Sequence, residues 1–127
     1  MIKQYLFIKK IPSKGRGVFT KESIVAGTLI EEAPVIVMTA QDRLHLDKTL
    51  LHDYIFEWGT DKAKCCVALG FISIYNHSYK SNCEYFMDFE TEMIEIKTVR
   101  PVQKGEELTI NYHGDWNDHK KIWFDAV

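Results

Sequence analysis

The chain has few cysteines, few prolines and no long apolar segment, and each scarcity excludes a class of protein. Its 127 residues include 3 cysteines and 3 prolines. No apolar run approaches the roughly 20 residues that a membrane-spanning helix needs. The first residues also lack the apolar core of a secretory signal peptide. The sequence therefore predicts an intracellular protein without a membrane segment.

The three cysteines do not indicate a disulfide framework or a metal site. Cys65 and Cys66 are adjacent, which is poor geometry for a mutual disulfide, and Cys83 stands alone. Four ligands at the spacing of a structural zinc site are absent from the sequence. We therefore expect reduced thiols and no bound metal.

The chain also lacks a strong net charge of either sign. Its 16 basic and 18 acidic residues give a formal net charge of −2. Proteins that bind nucleic acids usually carry a basic face that neutralises phosphates, and lysines scattered among acidic residues do not suggest one. The net charge therefore predicts no direct nucleic-acid binding and is better suited to a basic peptide.

Short apolar segments separated by turn residues predict a mainly β domain with short helices. At this length the chain has room for one domain, 1–127, with a core over about 5–116 and a tail over 117–127. The expected strands cover residues 5–8, 17–20, 28–31, 35–38, 84–89, 93–99 and 108–112. The segments 84–89 and 93–99 are expected to form a hairpin.

One amphipathic helix is expected near the middle of the chain. Thr39 followed by Asp42 matches a capping box, which marks the start of a helix. Apolar residues from Leu50 to Trp58 recur at helical spacing. Together they predict one helix, continuous or broken, over about residues 40–58, ending at Gly59.

Three short motifs carry the candidate chemistry, and each has a structural interpretation of its own. Gly15-Arg16-Gly17 leads into strand residues and not into a helix, which excludes a phosphate-binding loop. Two interpretations of the Gly-Arg-Gly motif remain: a plain turn, or a backbone that lies close to a ligand. The motif Asn76-His77-Ser78 could hold a structural histidine, or an amide and a ring that bind a polar ligand.

Hydrolase chemistry has weak support around His77. The Gly-x-Ser-x-Gly motif is absent, no aspartate is marked out as a partner, and a pair of Cys83 with His77 is unspecific.

The third motif runs from Gly105 to Tyr112, and read alone it is an acidic turn entering a strand. Tyr112 would then be a tyrosine of the core or its rim.

Taken in this order, the three motifs resemble the signature of SET-domain protein lysine methyltransferases, over roughly residues 5–116. The chain is most similar in appearance to the compact, stand-alone SET proteins of large DNA viruses and some bacteria. The resemblance implies a β-clip-like fold of several small sheets with a C-terminal pseudoknot. Its crossing elements would be residues 76–78 and 108–112.

The resemblance also implies a cofactor and a set of site residues. Five residues would bind S-adenosyl-L-methionine: Gly15, Arg16, Gly17, Asn76 and His77. Tyr112 would be the catalytic tyrosine, and Tyr54 and Trp116 would be aromatic walls of the channel for the substrate lysine. The chain departs from the family where Cys and Pro often follow Asn-His-Ser, because Tyr79 and Ser81 stand there.

The implied substrate is a lysine of a protein or peptide, with a histone tail as the family's usual target. The implied location is the cytoplasm, or a host nucleus if the protein acts on host chromatin. An unclosed lysine channel also allows a homodimer. Two other hypotheses stay open: a catalytically silent SET fold that binds a peptide or partner, and an unrelated small β-rich interaction domain.

Overall fold

Two small β-sheets and short helical segments make up the part of the chain that the computed structural model describes, residues 1–13, 15–60 and 62–112. The strands are β1 (Leu6–Ile11), β2 (Gly15–Thr20), β3 (Leu29–Met38), β4 (Ile55–Trp58), β5 (Lys64–Ala68), β6 (Asn76–His77), β7 (Cys83–Asp88), β8 (Met93–Thr98) and β9 (Glu107–Ile110). The helical segments are α1 (Ala40–Leu46) and 3₁₀ turns at Leu50–Tyr54 and Ile72–Ile74. The mainly β prediction is confirmed. Over these same residues, no helix is long and apolar enough to cross a membrane.

The four-stranded sheet has the order β1-β2-β9-β6, so the last strand lies between two much earlier segments. Strand β9 pairs antiparallel with β2, where Val18 lies opposite Leu108. It pairs in parallel with β6, where Asn76 lies opposite Thr109 and His77 opposite Ile110. The chain therefore returns from its C-terminal side to lie beside the Asn-His motif, as the predicted crossing of residues 76–78 with 108–112 requires.

The five-stranded sheet has the order β4-β5-β3-β8-β7, and its central strand corrects one prediction. Residues 28–31 and 35–38 were expected to be two strands interrupted by Pro34, but they belong to the single strand β3. Pro34 lies where β3 changes partner, since Leu29–Pro34 pair with β8 and Val35–Met38 pair with β5. A residue without an N–H is tolerated there because the ladder changes sides at that point.

The predicted helix is real but shorter than the sequence pattern indicates. Its capping box is present, with the Thr39 hydroxyl accepting from the Asp42 N–H at 3.1 Å. Helix α1 ends at Leu46, however, and the apolar residues Ile55 and Trp58 lie in β4, where they are buried. Pairing of β4 with β5 stabilises an extended backbone that the helical spacing did not reveal.

A single apolar core joins the two sheets. Val18, Leu108 and Ile110 come from the four-stranded sheet, and Ile94 and Ile96 come from the five-stranded sheet; all five are fully buried. The cysteines Cys65, Cys66 and Cys83 are buried free thiols. Because both sheets pack on one core, the positions of β2, β6, β9 and β7 relative to one another are fixed.

Candidate active site

The Gly-Arg-Gly and Asn-His motifs meet where β2 and β6 flank β9. The side-chain amide of Asn76 donates to the Arg16 carbonyl oxygen at 2.9 Å and to the Glu107 carboxylate at 2.8 Å. Glu107 is the first residue of β9, so one amide group links all three sequence motifs. The structure therefore brings together segments that are far apart in the sequence.

Gly17 is a glycine because its neighbours leave no room for a side chain. A Cβ atom at this position would lie 2.6 Å from the Glu107 carboxylate, 2.8 Å from the end of the Ile11 side chain and 3.0 Å from the Asn76 amide nitrogen. Gly15 differs, because its φ of +89° is a conformation that glycine tolerates best, and a Cβ there would meet nothing within 4 Å. Gly17 thus serves close packing, while the backbone at Gly15 faces open space.

His77 is buried on the inner side of the site and is held by Tyr112. The backbone N–H of Tyr112 donates to His77 Nδ1 at 3.0 Å, which requires that Nδ1 carries no proton. The neutral ring therefore holds its proton on Nε2. The ring packs edge-on against Tyr79 with centroids 4.6 Å apart, so Tyr79 supports the histidine from the other side.

The hydroxyl group of Tyr112 has a fixed position. It donates to the Tyr75 carbonyl oxygen at 2.7 Å, and the Tyr112 carbonyl oxygen accepts from the Tyr85 hydroxyl at 2.9 Å. Burial, followed by the electrostatic influence of Tyr54 and Asp53, raises the pKa of Tyr112 well above its ordinary value. The Tyr112 hydroxyl is therefore protonated at neutral pH.

Aromatic rings surround Tyr112. The ring of Phe56 meets Tyr112 edge-on at 6.1 Å between centroids and lies 5.3 Å from the ring of Tyr85. Tyr54, which ends the 3₁₀ turn before β4, is 38% exposed and close enough to affect the Tyr112 pKa. Tyr54 is thus brought to the site, whereas Trp116 lies outside the described residues.

The sequence reasoning missed a buried carboxylate that supports Tyr112 indirectly. Glu31 is fully buried and accepts hydrogen bonds from the Tyr75 hydroxyl at 3.0 Å and the Phe71 N–H at 2.6 Å. Tyr75 is also fully buried, and its carbonyl oxygen is the group that holds the Tyr112 hydroxyl. Tyr75 could have been suspected from its place directly before Asn76, but no local pattern marks Glu31.

Asn82 also anchors the start of β9. Its carbonyl oxygen accepts from the Thr109 N–H at 2.9 Å, and its amide donates to the Glu107 carbonyl oxygen at 2.8 Å. Asn82 is 1% exposed, so these bonds form inside the protein, where they are strongest. Asn76 and Asn82 therefore fix the start of β9 from two sides.

The residues present fit the cofactor that the resemblance implies. S-adenosylmethionine carries a carboxylate, hydroxyl groups, an adenine ring and a positively charged sulfur. The exposed guanidinium of Arg16 suits a carboxylate, and the open backbone at Gly15 permits close approach of a ligand. Aromatic rings and backbone carbonyl oxygens suit a cation. Arg16 lies on β2, and Asn76 and His77 form β6.

The chain is similar to known proteins over most of its length. The SET domain family matches residues 15–113 of the chain. A histone-lysine N-methyltransferase of Schizosaccharomyces pombe, specific for lysine 37 of histone H3, is 34% identical over 126 residues, which cover 98% of this chain and 80% of that protein. A crystal structure of a Plasmodium falciparum protein, described as a candidate histone methyltransferase, superimposes with a TM-score of 0.64 at 25% identity. That match covers 91% of this chain and 98% of the other.

Proposed function

The chain belongs to the SET-domain family of protein lysine methyltransferases, and from this premise we propose that it methylates a histone lysine with S-adenosylmethionine as the methyl donor. The observation that supports the proposal most is the hydrogen-bond network that joins the three motifs. Asn76 links Arg16 to Glu107, and His77 holds the backbone of Tyr112. The residues that would bind the cofactor and the residue that would act on the substrate are thus held in one rigid unit.

The reaction needs a neutral amine and an aligned electrophile. Bound S-adenosylmethionine would supply a methyl group on a positively charged sulfur, and breaking of that S–C bond would leave neutral S-adenosylhomocysteine. A free lysine has a pKa of about 10.4, so its amine must lose a proton before its lone pair can form the new N–C bond. Burial beside Tyr112 would favour that loss, because removal from water disfavours a charged ammonium group. The proton leaves to solvent.

Tyr112 is proposed to orient the amine. Its hydroxyl is protonated and donates to the Tyr75 carbonyl oxygen, which fixes the position of the phenolic oxygen. That oxygen would accept a hydrogen bond from an N–H of the substrate amine. This hydrogen bond would orient the lone pair of the nitrogen toward the methyl donor. Alignment of this kind supplies most of the rate in a displacement that needs no acid or base on the protein.

The channel for the lysine is proposed to be aromatic. Phe56, Tyr85 and Tyr112 form a continuous set of ring contacts, with Tyr54 at the exposed side. Aromatic faces attract methylated ammonium groups through cation–π interaction, while they offer little hydrogen bonding to water. Trp116 remains a proposed further wall of this channel.

The cofactor is proposed to lie along the starts of β2 and β6. Gly15, Arg16 and Gly17 would contact it through their backbone and the Arg16 guanidinium, and Asn76 and His77 would contact it from β6. Histone H3 is the substrate to test first, since the S. pombe relative acts on lysine 37 of that histone. A histone substrate places the action of the protein in the nucleus.

Calorimetric titration of the purified chain with S-adenosylmethionine and S-adenosylhomocysteine tests the cofactor directly. We expect one site per chain for each ligand. His77→Ala should weaken binding at least about tenfold, because the ring orders the segment beside the ligand, while the matched variant His45→Ala should bind as the native chain does. Thermal unfolding of both variants checks that they are folded.

Turnover is tested by mass spectrometry of recombinant histones and a proteome extract after incubation with the chain. A gain of 14 Da, or a multiple of about that mass, on a lysine of histone H3 is the expected result. A folded chain that binds neither nucleoside contradicts the proposal and favours a silent partner-binding domain. If the chain binds S-adenosylmethionine but transfers no methyl group to any histone, the proposed cofactor stands and the proposed histone substrate is rejected.

A further inference from the structure

The basic residues of the chain are segregated, although the net charge is small. Residues 1–21 contain six of the 16 basic residues and none of the 18 acidic ones. This segment has a formal charge of +6, whereas residues 22–127 have a formal charge of −8. The net charge of −2 therefore averages over two regions of opposite sign. The segment contains the paired strands β1 and β2.

Three of these lysines are arranged along a strip of the hairpin, which we name the basic strip: Lys3, Lys21 and Lys9, with Phe7 and Phe19 between them. Phe7 pairs with Phe19 across β1 and β2, and the ring centroids lie 5.9 Å apart. Lys21 Nζ lies over the Phe7 ring at 5.6 Å, and Lys9 Nζ lies over the Phe19 ring at 5.1 Å.

Lys3 extends the basic strip beyond Lys21. Both lysines line a shallow groove of about 500 Å³ together with Gln4, Tyr5 and the single carboxylate Glu22. The backbone N–H of Lys21 donates to the Tyr5 carbonyl oxygen at 2.8 Å, which fixes the chain at this corner. The lysine side chains are exposed, so their ammonium groups can reach a ligand.

The charges of Lys3, Lys9 and Lys21 are not neutralised by ion pairs within the described part of the chain. In the described ranges 1–13, 15–60 and 62–112, no carboxylate lies within salt-bridge distance of Lys3, Lys9 or Lys21. Lysines on an edge strand such as β1 also prevent sheet-to-sheet aggregation. That role explains Lys9, but it requires neither Lys3 nor Lys21, nor a segment of 21 residues without an acid.

We propose that the basic strip binds the phosphate backbone of double-stranded DNA and so holds the enzyme against its chromatin substrate. The choice of DNA among polyanions rests on the proposed function, because histones are wrapped in DNA. A row of exposed lysines along the edge of a sheet neutralises phosphates without reading bases. The half-buried rings of Phe7 and Phe19 support the ammonium groups and offer no apolar wedge for a membrane.

This inference replaces the expectation, drawn from the net charge, that the chain does not contact nucleic acid. Electrostatic binding depends on the local field of one face and falls off over a Debye length of about 10 Å. The acidic remainder of the chain therefore weakens the attraction of the basic strip for DNA only where the two lie close together. It also disfavours binding of DNA elsewhere on the surface.

Fluorescence anisotropy with a labelled 20-base-pair DNA duplex of mixed sequence tests the proposal on the full chain at roughly 50 to 200 mM salt. The test variant is Lys3→Gln, Lys9→Gln and Lys21→Gln together. We expect it to bind at least about tenfold more weakly at the lowest salt and to lower the salt-dependence slope by about 2.7, or 0.9 for each lost phosphate contact.

A matched control removes the same charge elsewhere. Lys48→Gln, Lys64→Gln and Lys104→Gln together change three exposed lysines outside the basic strip. This control should keep the affinity and slope of the native chain. If the control loses as much affinity as the test variant, or if the native chain does not bind the duplex at low salt, the proposal is overturned.

Two further measurements separate the proposal from its rivals and from the proposed function. Tighter binding to polyglutamate, or to vesicles with a third of phosphatidylserine, than to DNA of equal charge would overturn the choice of DNA. Methylation of nucleosomes should fall at least about fivefold in the test variant, while methylation of a free H3 peptide stays unchanged. The DNA-binding assay does not depend on turnover. DNA binding can therefore fail while S-adenosylhomocysteine binding succeeds, and DNA binding can succeed while S-adenosylhomocysteine binding fails.

Discussion

Replacing Tyr112 by phenylalanine removes one oxygen atom and one identified hydrogen bond from the candidate site. The lost bond is the 2.7 Å contact from the Tyr112 hydroxyl to the Tyr75 carbonyl oxygen. The ring contacts with Phe56 and His77 remain, because phenylalanine keeps the six-membered ring of residue 112. The backbone bonds of Tyr112 to His77 and Tyr85 also remain, so the variant should fold.

The structure offers a matched control in Tyr85→Phe. Its hydroxyl donates to the Tyr112 carbonyl oxygen at 2.9 Å, so this variant also loses one buried hydroxyl and one bond to a carbonyl oxygen. Burial raises the pKa of both tyrosines, so both hydroxyls are protonated at neutral pH. Each variant should lower the free energy of unfolding by about 1 kcal/mol, or the melting temperature by about 4 °C.

Turnover should separate the two variants. Tyr112→Phe should lower kcat at least about 100-fold, since misplacing a reacting group by roughly 1 Å costs about that factor. This corresponds to about 2.7 kcal/mol of barrier, more than the stability that is lost. Tyr85→Phe should lower kcat less than about fivefold, because its hydroxyl faces the Tyr112 backbone and not the amine.

The assay is single-turnover methylation of histone H3, with cofactor binding measured in parallel by calorimetry. Both variants should bind S-adenosylhomocysteine within about twofold of the native chain, since neither removes a proposed cofactor contact. Equal losses of kcat in the two variants would show that Tyr112 acts only through packing. Unchanged turnover in Tyr112→Phe would remove it from the mechanism altogether.

Three other predictions test the surroundings of the site. Gly17→Ala should destabilise the fold by about 1–3 kcal/mol and weaken S-adenosylhomocysteine binding, because the new Cβ would displace the Glu107 carboxylate. Denaturant unfolding measures the stability and calorimetry measures the binding. An unchanged free energy of unfolding would contradict the close packing at Gly17. Burial raises the pKa of Glu31 above 4.5. The stability of the native chain relative to Glu31→Gln should therefore be greatest below about pH 4.5 and should fall as the pH rises toward neutrality. A difference in melting temperature that does not change with pH would refute this prediction. Burial also raises the pKa of Cys66 to about 12, so a thiol reagent at about pH 8 should label Cys66 rapidly only after denaturation, and fast labelling of the native chain would contradict its burial.

Part of the fold followed from local patterns. The hairpin of β7 and β8 was predicted because two alternating segments flank a short polar loop, and it pairs from Asp88↔Met93 to Cys83↔Thr98. The capping box at Thr39 was predicted because it needs only residues within one helical turn. Such features depend on neighbours in the sequence, so one sequence is enough to find them.

Other parts depended on partners that are distant in the sequence. The segment 55–58 has apolar residues at spacings that a helix or a strand can use, and pairing with β5 decided for a strand. Pro34 was expected to break a strand, but β3 continues because it exchanges β8 for β5 at that residue. Neither choice could be made from local propensity, because the energy comes from another strand.

The same division holds for the site. The sequence by itself determined the three motifs, their order and the identity of Gly15–Gly17, Asn76–His77 and Tyr112 as candidates, because a family motif conserves residue types at fixed spacing. Only the tertiary structure decided that Asn76 links Arg16 to Glu107, and that buried Glu31 supports Tyr75 behind Tyr112. These contacts arise because β9 lies between β2 and β6. The insertion of a late strand between two earlier ones depends on the path of the whole chain, and no local pattern encodes it.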